Sequence, residues 1–227
     1  MLDFIGTVVT VAIMMVAFNG VITFMDISRG AKLTLAVFIG LWIGLAAAAG
    51  AAGFIAISRP FPMIGPFFAA PLLAAVIASF SPSARAAMLG LPLRLMIGLN
   101  IGRVFAVLFL LLETEGRLAG PFPFFAAWGD IITGAGALLL LLIARRDDAL
   151  PTGVTTVWNL FGIADLVSAI SLGVMSAEGS PLQVFTTSPG SAAMQQLPWS
   201  FVPTVLVPFW LILHAIIWVK LRQRRIQ

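Results

Sequence analysis

Seven stretches of the chain are rich in apolar residues and poor in charge. Each approaches the roughly 20 residues an α-helix needs to cross a hydrocarbon layer. They cover residues 4–25, 33–57, 61–80, 95–112, 122–144, 154–175 and 199–219. The third is the shortest in its secure part, 67–80, because Pro62, Pro66 and Pro71 interrupt it. The connections are short, apart from residues 176–198. The pattern predicts an all-α fold: one polytopic membrane bundle of seven transmembrane helices over residues 1–227, with no soluble domain and no internal repeat of 20–50 residues.

Charge placement orients this bundle. With seven spans the connections alternate sides. One side then carries Arg29, Lys32, Arg85, Arg94, Arg145, Arg146, Lys220, Arg222, Arg224 and Arg225, and the other only Arg59 and Arg117. Basic loops stay in the cytoplasm, which predicts the N-terminus outside and the C-terminus inside. Removing the third span would scramble the asymmetry. Met1-Leu2-Asp3 offers neither a basic leader nor a small-residue cleavage site, so 4–25 reads as a retained helix. The basic residues after Val219 read as a stop-transfer anchor on anionic lipid rather than as a nucleic-acid patch.

Composition then narrows the chemistry. Of 227 residues, 60% are hydrophobic and 10% are charged, against about 25% charged in ordinary soluble domains. That excludes soluble globular and disordered classes. With no Cys and one His there are no disulfides, no thiol nucleophile and no multi-His or Cys-ligated metal centre. A haem on His214 alone has no second marker. A retinal Schiff base needs a buried Lys, whereas Lys32 and Lys220 lie at span ends. No cofactor, metal or catalytic residue is therefore expected.

A charge near mid-bilayer costs about 2.5–3.5 kcal/mol on insertion scales, so the polar residues inside the spans carry the information. They are Asn100 and Arg103 in span four, Asp130 and Thr133 in span five, Asn159, Asp165 and Ser168 in span six, and His214 in span seven, with Asn19 and Thr23 in span one. Measured from the cytoplasmic ends at about 1.5 Å per residue, Arg103 lies about 12 Å in, Asp165 about 16 Å and Asp130 about 21 Å. Asn159 and His214 both lie about 7 Å in. Arg103 and Asp165 can thus meet near the midplane, with Asp130 one layer outward, while Asn159 and His214 can hydrogen-bond below. Asn100, Thr133 and Ser168 stand three residues from Arg103, Asp130 and Asp165 and share their faces. One reading is a buried ion pair that fixes helix register. The other is a site, because one Arg against two carboxylates leaves a formal charge of −1.

Signals at the span ends are weaker. Glu113, Glu115 and Arg117 form an outer rim, with Glu113 and Arg117 at helical i,i+4 spacing. The loop 176–198 can fold as a lid over the outer mouth. Trp199 suits the interfacial aromatic belt. Pro203 and Pro208 predict a kinked or broken seventh span, and such breaks often face a cavity. Gly40 with Gly44, and Gly98 with Gly102, allow close helix approach within the bundle or, alternatively, in a homo-oligomer or membrane complex.

The residues Arg103, Glu115-Gly116, Gly129-Asp130-Ile131, Thr133-Gly134, Trp158-Asn159-Leu160, Gly162, Ser180-Pro181-Leu182, Pro189, Leu197-Pro198-Trp199, Val202-Pro203, Val207-Pro208 and His214 form a pattern over the C-terminal half. It resembles an uncharacterised family of small bacterial multi-pass inner-membrane proteins. The resemblance implies an inner-membrane location and no particular activity. It overlaps the buried polar set at Arg103, Asp130, Asn159 and His214, though not at Asp165. The function expected is transport or conduction of a small solute or ion, with proton coupling as one form of it. The alternative is a non-catalytic subunit or scaffold, and a cofactor-binding intramembrane enzyme ranks third.

Overall fold

The computed structural model describes residues 1–57 and 64–226, and no strand occurs among them. Arg59 and the first residues of the predicted third span, 61–63, lie outside the described residues. The helices are α1 (Leu2–Phe24), α2 (Arg29–Ala51), α3 (Ile64–Ser79), α4 (Pro82–Gly90), α5 (Leu93–Leu99), α6 (Val107–Thr114), α7 (Pro121–Ile143), α8 (Thr152–Met175) and α9 (Val207–Ile226). A 3₁₀ segment, Asn100–Ala106, joins α5 to α6, and a π-helical turn, Val202–Leu206, leads into α9. Six helical segments are long and apolar enough to cross a membrane, α5–α6 counting as one of 22 residues. A seventh exists only if α3 and α4, bent by 109°, form one span.

Local chemistry sets the boundaries. Ser28 caps α2, its hydroxyl accepting from Ala31 N at 3.2 Å. The same helix ends at Ala51 rather than running to residue 57. Gly53 takes the left-handed conformation (φ 71°), Gly53 N donates to Gly50 O, and Phe54 N donates to Ala49 O. This paired closure satisfies the last carbonyls and stops the helix. Helix α4 lies where only a connection was expected. Its signal is Ser81 at the N-cap followed by Pro82 at the first helical position.

The seventh span is wound differently, not broken. Pro203 and Pro208 lack the N–H that continues the ladder, and the helix widens into the π turn between them. The carbonyl that Pro208 leaves free is that of Thr204. It accepts from the indole Nε1 of Trp42 in α2 at 3.3 Å.

Long-range contacts define two ends of the bundle. At the N-terminal end, Asp3 meets Arg117 (2.9 Å) and accepts from the Trp199 indole (2.7 Å), Ala119 N donates to Gly190 O, and Ile57 N donates to Gln195 Oε1 (2.8 Å). At the opposite end, Lys32 Nζ donates to Thr23 O (2.8 Å) and Lys220 Nζ to Leu89 O (2.7 Å). Arg224 there donates to Asp147 O (2.8 Å). Trp199 is wholly buried, not at a surface belt. Arg117 falls past the end of α6 and beyond the left-handed Gly116 (φ 68°), so the helical pairing with Glu113 does not form. Its partners are Asp3 and, at 3.9 Å, Glu115.

The core sits among α5–α6, α7, α8 and α9. α7 packs on the 3₁₀ segment and α8, α8 on α9, and α3 on α9 and the π turn. α2 is peripheral, with Ala46 as its one buried residue. Gly98 and Gly102 face Leu141 and Ile13 inside this chain, whereas nothing among the described residues lies within 4 Å of a Cβ built on Gly40 or Gly44. The first pair therefore takes part in packing within this chain.

One contact between loops is a stability test. The carboxylate of Asp147 accepts from Leu93 N (2.8 Å) and Arg94 N (3.0 Å), capping α5 from the α7–α8 connection. Loss of such a cap costs about 1 kcal/mol, in a range of roughly 0.5–2. Asp147→Ala is expected to lower the melting temperature in detergent accordingly, with Asp147→Asn losing less. An unchanged melting curve for Asp147→Ala would show that the cap adds nothing.

Candidate functional site

Arg103 is at the centre of the 3₁₀ segment and wholly buried. A 3₁₀ run of seven residues is long for this geometry and stacks side chains at i and i+3. Asn100, Arg103 and Ala106 therefore form one buried ridge against α7. Gly134 lets α7 approach it, since a Cβ there would stand 2.7 Å from Val104 Cγ2 and 3.0 Å from Val104 N.

The guanidinium gathers three spans. Its Nε donates to Asp130 Oδ1 at 2.6 Å, and Nη2 donates to Asp165 Oδ2. Nη1 reaches His214 Nε2 at 3.0 Å and the Gly162 carbonyl at 3.5 Å. The Trp210 ring lies 5.7 Å from the guanidinium carbon, within cation–π range. That indole in turn donates to Leu99 O (3.3 Å).

This arrangement fixes the histidine tautomer. Arg offers only donors, so His214 Nε2 accepts and Nδ1 carries the hydrogen. Nδ1 then donates to Asn159 Oδ1 at 2.8 Å, and Asn159 Nδ2 returns a bond to His214 O at 3.2 Å. Trp158 covers the imidazole, ring centroids 5.4 Å apart, and donates its indole N–H to Thr133 O at 2.9 Å.

Two glycines make room for the cluster. A Cβ on Gly162 would fall 2.5 Å from His214 Cε1. A Cβ on Gly129 would overlap the Asp165 carboxylate outright. Sequence reasoning assigned neither a role, although both stand beside polar residues of the site. The Gly162 carbonyl as an acceptor is invisible to side-chain patterns altogether.

Of the candidates, Arg103, Asp130, Asp165, Asn159 and His214 form one connected network. Asn100 is adjacent but turns back on its own helix: Nδ2 donates to Met96 O (2.9 Å), and Oδ1 is buried without a hydrogen-bond partner among the described residues. Thr133 is buried and bonds Gly129 O. Ser168 does not share the inward face of Asp165. It is exposed and donates to Ala164 O. Asn19 and Thr23 are likewise exposed. Glu113 and Glu115 sit at the N-terminal end, away from the network. With both carboxylates ionised the cluster carries one unit of excess negative charge, in surroundings where Coulomb forces are weakly screened.

The network opens on one side. Asp130 lines a cavity of about 160 Å³. Phe122, Ala126 and Asp130 form its α7 wall at helical i,i+4 spacing, and Leu166, Ala169 and Ile170 its α8 wall. Phe68 from α3, Phe109 from α6, and Val202 and Pro203 of the π turn also line it. The loop 176–198 contributes Ser191, Met194 and Gln195. That loop is pinned by Ser191 Oγ on Gly173 O (2.7 Å) and by Gln195 on Ile57. It therefore packs across the N-terminal end of the cavity. Among the described residues no group of three or more His, Asp or Glu is placed to hold a metal.

Fold and site together define a small all-helical protein organised around a buried arginine shared by two aspartates and a histidine–asparagine pair. A family model described as a domain of unknown function, DUF8737, matches residues 61–222, and the chain belongs to that family. The match holds the whole network and α3 to α8, and leaves α1 and α2 outside. No curated protein and no solved structure matches the chain.

Proposed function

We propose that the protein is a multi-pass protein of a bacterial inner membrane that moves a small solute or ion, coupled to protons, through the Arg103–Asp130–Asp165 cluster. One observation carries this reading. A buried cluster of one arginine and two carboxylates is not sealed by apolar packing but reaches, through Asp130, a cavity beneath the loop 176–198. Ionisable groups inside membrane spans mark ion and proton pathways. A protein that needed only a register-fixing pair would gain nothing from the second carboxylate or the opening. His214 and Asn159 orient the guanidinium from below.

The same reading places the N-terminus outside and the C-terminus in the cytoplasm. It is supported by the ten-to-two division of basic residues and by contacts that gather residues 23–32, 82–94, 147 and 220–224 at one end of the bundle. The chain has no cysteine, so single-cysteine labelling needs no cleared background. In spheroplasts, cysteine at the exposed Glu178 is expected to react with an impermeant maleimide. Cysteine at the exposed Ser83 is expected to react only after permeabilisation. The reverse pattern overturns the orientation.

Transport is tested in proteoliposomes holding a pH-sensitive dye. Imposing a pH gradient is expected to drive proton flux in the native protein. Asp130→Asn with Asp165→Asn is expected to cut it at least about tenfold, equivalent to about 1.4 kcal/mol. A folded double variant with undiminished flux removes the cluster from the mechanism. The second reading, a non-catalytic subunit of a membrane complex, is favoured by the uncovered Gly40–Gly44 face of α2. A native mass containing a stoichiometric partner, with no flux by the isolated chain, would decide for it.

A further inference from the structure

We infer that the cavity binds a small organic ammonium ion, with its apolar body against α3, α7 and α8 and its cationic head on Asp130. The inference rests on the transport reading above and names the class of solute.

Three observations converge. The first is the walls. Phe68, Phe109, Phe122, Leu166 and Ile170 are apolar, and of the polar lining residues two are already committed. Ser191 Oγ is bonded to Gly173 O, and Gln195 Oε1 accepts from Ile57 N. Asp130 remains, with Oδ1 on Arg103 and no hydrogen bond to Oδ2 among the described residues. Among the described lining residues a solute here meets mostly hydrocarbon, with one Asp130 oxygen and the Gln195 amide N–H groups left to receive a polar head.

The second is charge. Arg103 neutralises one of two carboxylates, and His214 must accept from Arg103 and so adds no positive charge. With both carboxylates ionised the surplus is negative, which favours a cation and repels an anion. A hydrated inorganic ion would have to shed its water against apolar walls. An ammonium group on an organic body delivers the charge while the body replaces that contact with hydrophobic burial. The aromatic walls add a favourable surface for a cation.

The third is size. At about 160 Å³, the cavity matches the roughly 150 Å³ apolar cavities that take benzene. One ring or a chain of about six carbons fits, with the head beside Asp130.

The test is binding to the detergent-solubilised full chain, followed by melting temperature and titration calorimetry. The probes are benzylamine as its cation, toluene as the neutral shape match and benzoate as the anion. Benzylamine is expected to bind at least about tenfold more tightly than toluene, with benzoate not binding. Asp130→Asn is expected to remove the preference for benzylamine and leave toluene unaffected. Ala169→Phe, which fills the cavity from α8 and replaces no member of the cluster, is expected to abolish binding of both. Equal binding of benzylamine and toluene in the native protein overturns the inference and identifies a site for neutral hydrocarbon, such as a lipid chain. Tighter binding of benzoate overturns it too. If Asp130→Asn does not fold, the ranking of the three probes on the native protein and the Ala169→Phe result decide. Proton flux that depends on Asp130 and Asp165 without any amine preference leaves the transport reading standing and removes only this inference. Amine binding without flux does the opposite.

Discussion

Arg103→Ala is expected to eliminate folded protein, or to leave a fraction that melts far below the native chain. Among the described residues the guanidinium is the one cation in contact with the two buried carboxylates, and it also donates to His214 and Gly162. Removing one partner of a buried ion pair costs about 3–5 kcal/mol, because the charge left behind is neither solvated nor matched. Here two carboxylates are stranded. Fluorescence-detected size-exclusion chromatography and a detergent melting curve read the effect. Arg103→Lys should fall between, since an ammonium keeps the charge but cannot present the planar fork that reaches Asp130 and Asp165 together. An Arg103→Ala protein that melts within about 1 kcal/mol of native would mean the ion pairs contribute little. A further variant separates structure from function. Replacing a whole buried ionic group with apolar residues of similar volume is often neutral or stabilising. Arg103→Met with Asp130→Leu and Asp165→Leu should therefore fold better than Arg103→Ala alone, while carrying no proton flux.

The network was legible because charge inside an apolar run is costly and so is informative. Counting rise along each span brought Arg103, Asp165 and Asp130 close in depth, and placed Asn159 level with His214. That arithmetic assumes straight α-helices. It could not see that span four passes through a 3₁₀ segment at Arg103, nor that the long side chain reaches His214 as well as both aspartates. The i+3 rule failed at Ser168 because that step turns by about 60° around the helix, enough to move the residue from the packed face of α8 to its outer one. The i,i+4 pairing failed at Glu113 because α6 ends before Arg117, so helical spacing no longer applied. Contacts between distant loops left no local trace: Asp147 capping α5, or Asp3 taking both Arg117 and the Trp199 indole, depends on tertiary placement alone. The early end of α2 at Ala51 was readable in principle from Gly53, but its signal was hidden in a run of small apolar residues. The π turn was half legible. Pro203 and Pro208 announced a disturbed helix, but not that Trp42 would supply the donor to Thr204.

Gly129→Ala is expected to be nearly as damaging, although alanine is the better helix former. In an open helix the change would stabilise by up to about 1 kcal/mol. At Gly129 the new Cβ would occupy the space of the Asp165 carboxylate. A shift of a few tenths of an ångström cannot relieve this overlap. Either α7 and α8 separate along a packed interface, or Asp165 swings out and surrenders its bond to Arg103. Overpacking costs about 1–3 kcal/mol and a lost charged hydrogen bond about 1.5–3. Where both losses are incurred, subtracting the propensity gain leaves a net loss of about 1.5–5 kcal/mol. Gly40→Ala is the matching control. Gly40 is also mid-helix, but no atom of the described residues lies within 4 Å of a Cβ built there, so this change should leave stability unchanged or raised. Opposite signs for the two substitutions, read from melting curves in one detergent, would show that Gly129 is held for space rather than flexibility. Equal and small effects would mean that Asp165 has another resting place, and that its bond to Arg103 is dispensable. Destabilisation by Gly40→Ala would show instead that the α2 face is covered by a second chain in the solubilised protein, which brings the subunit reading forward.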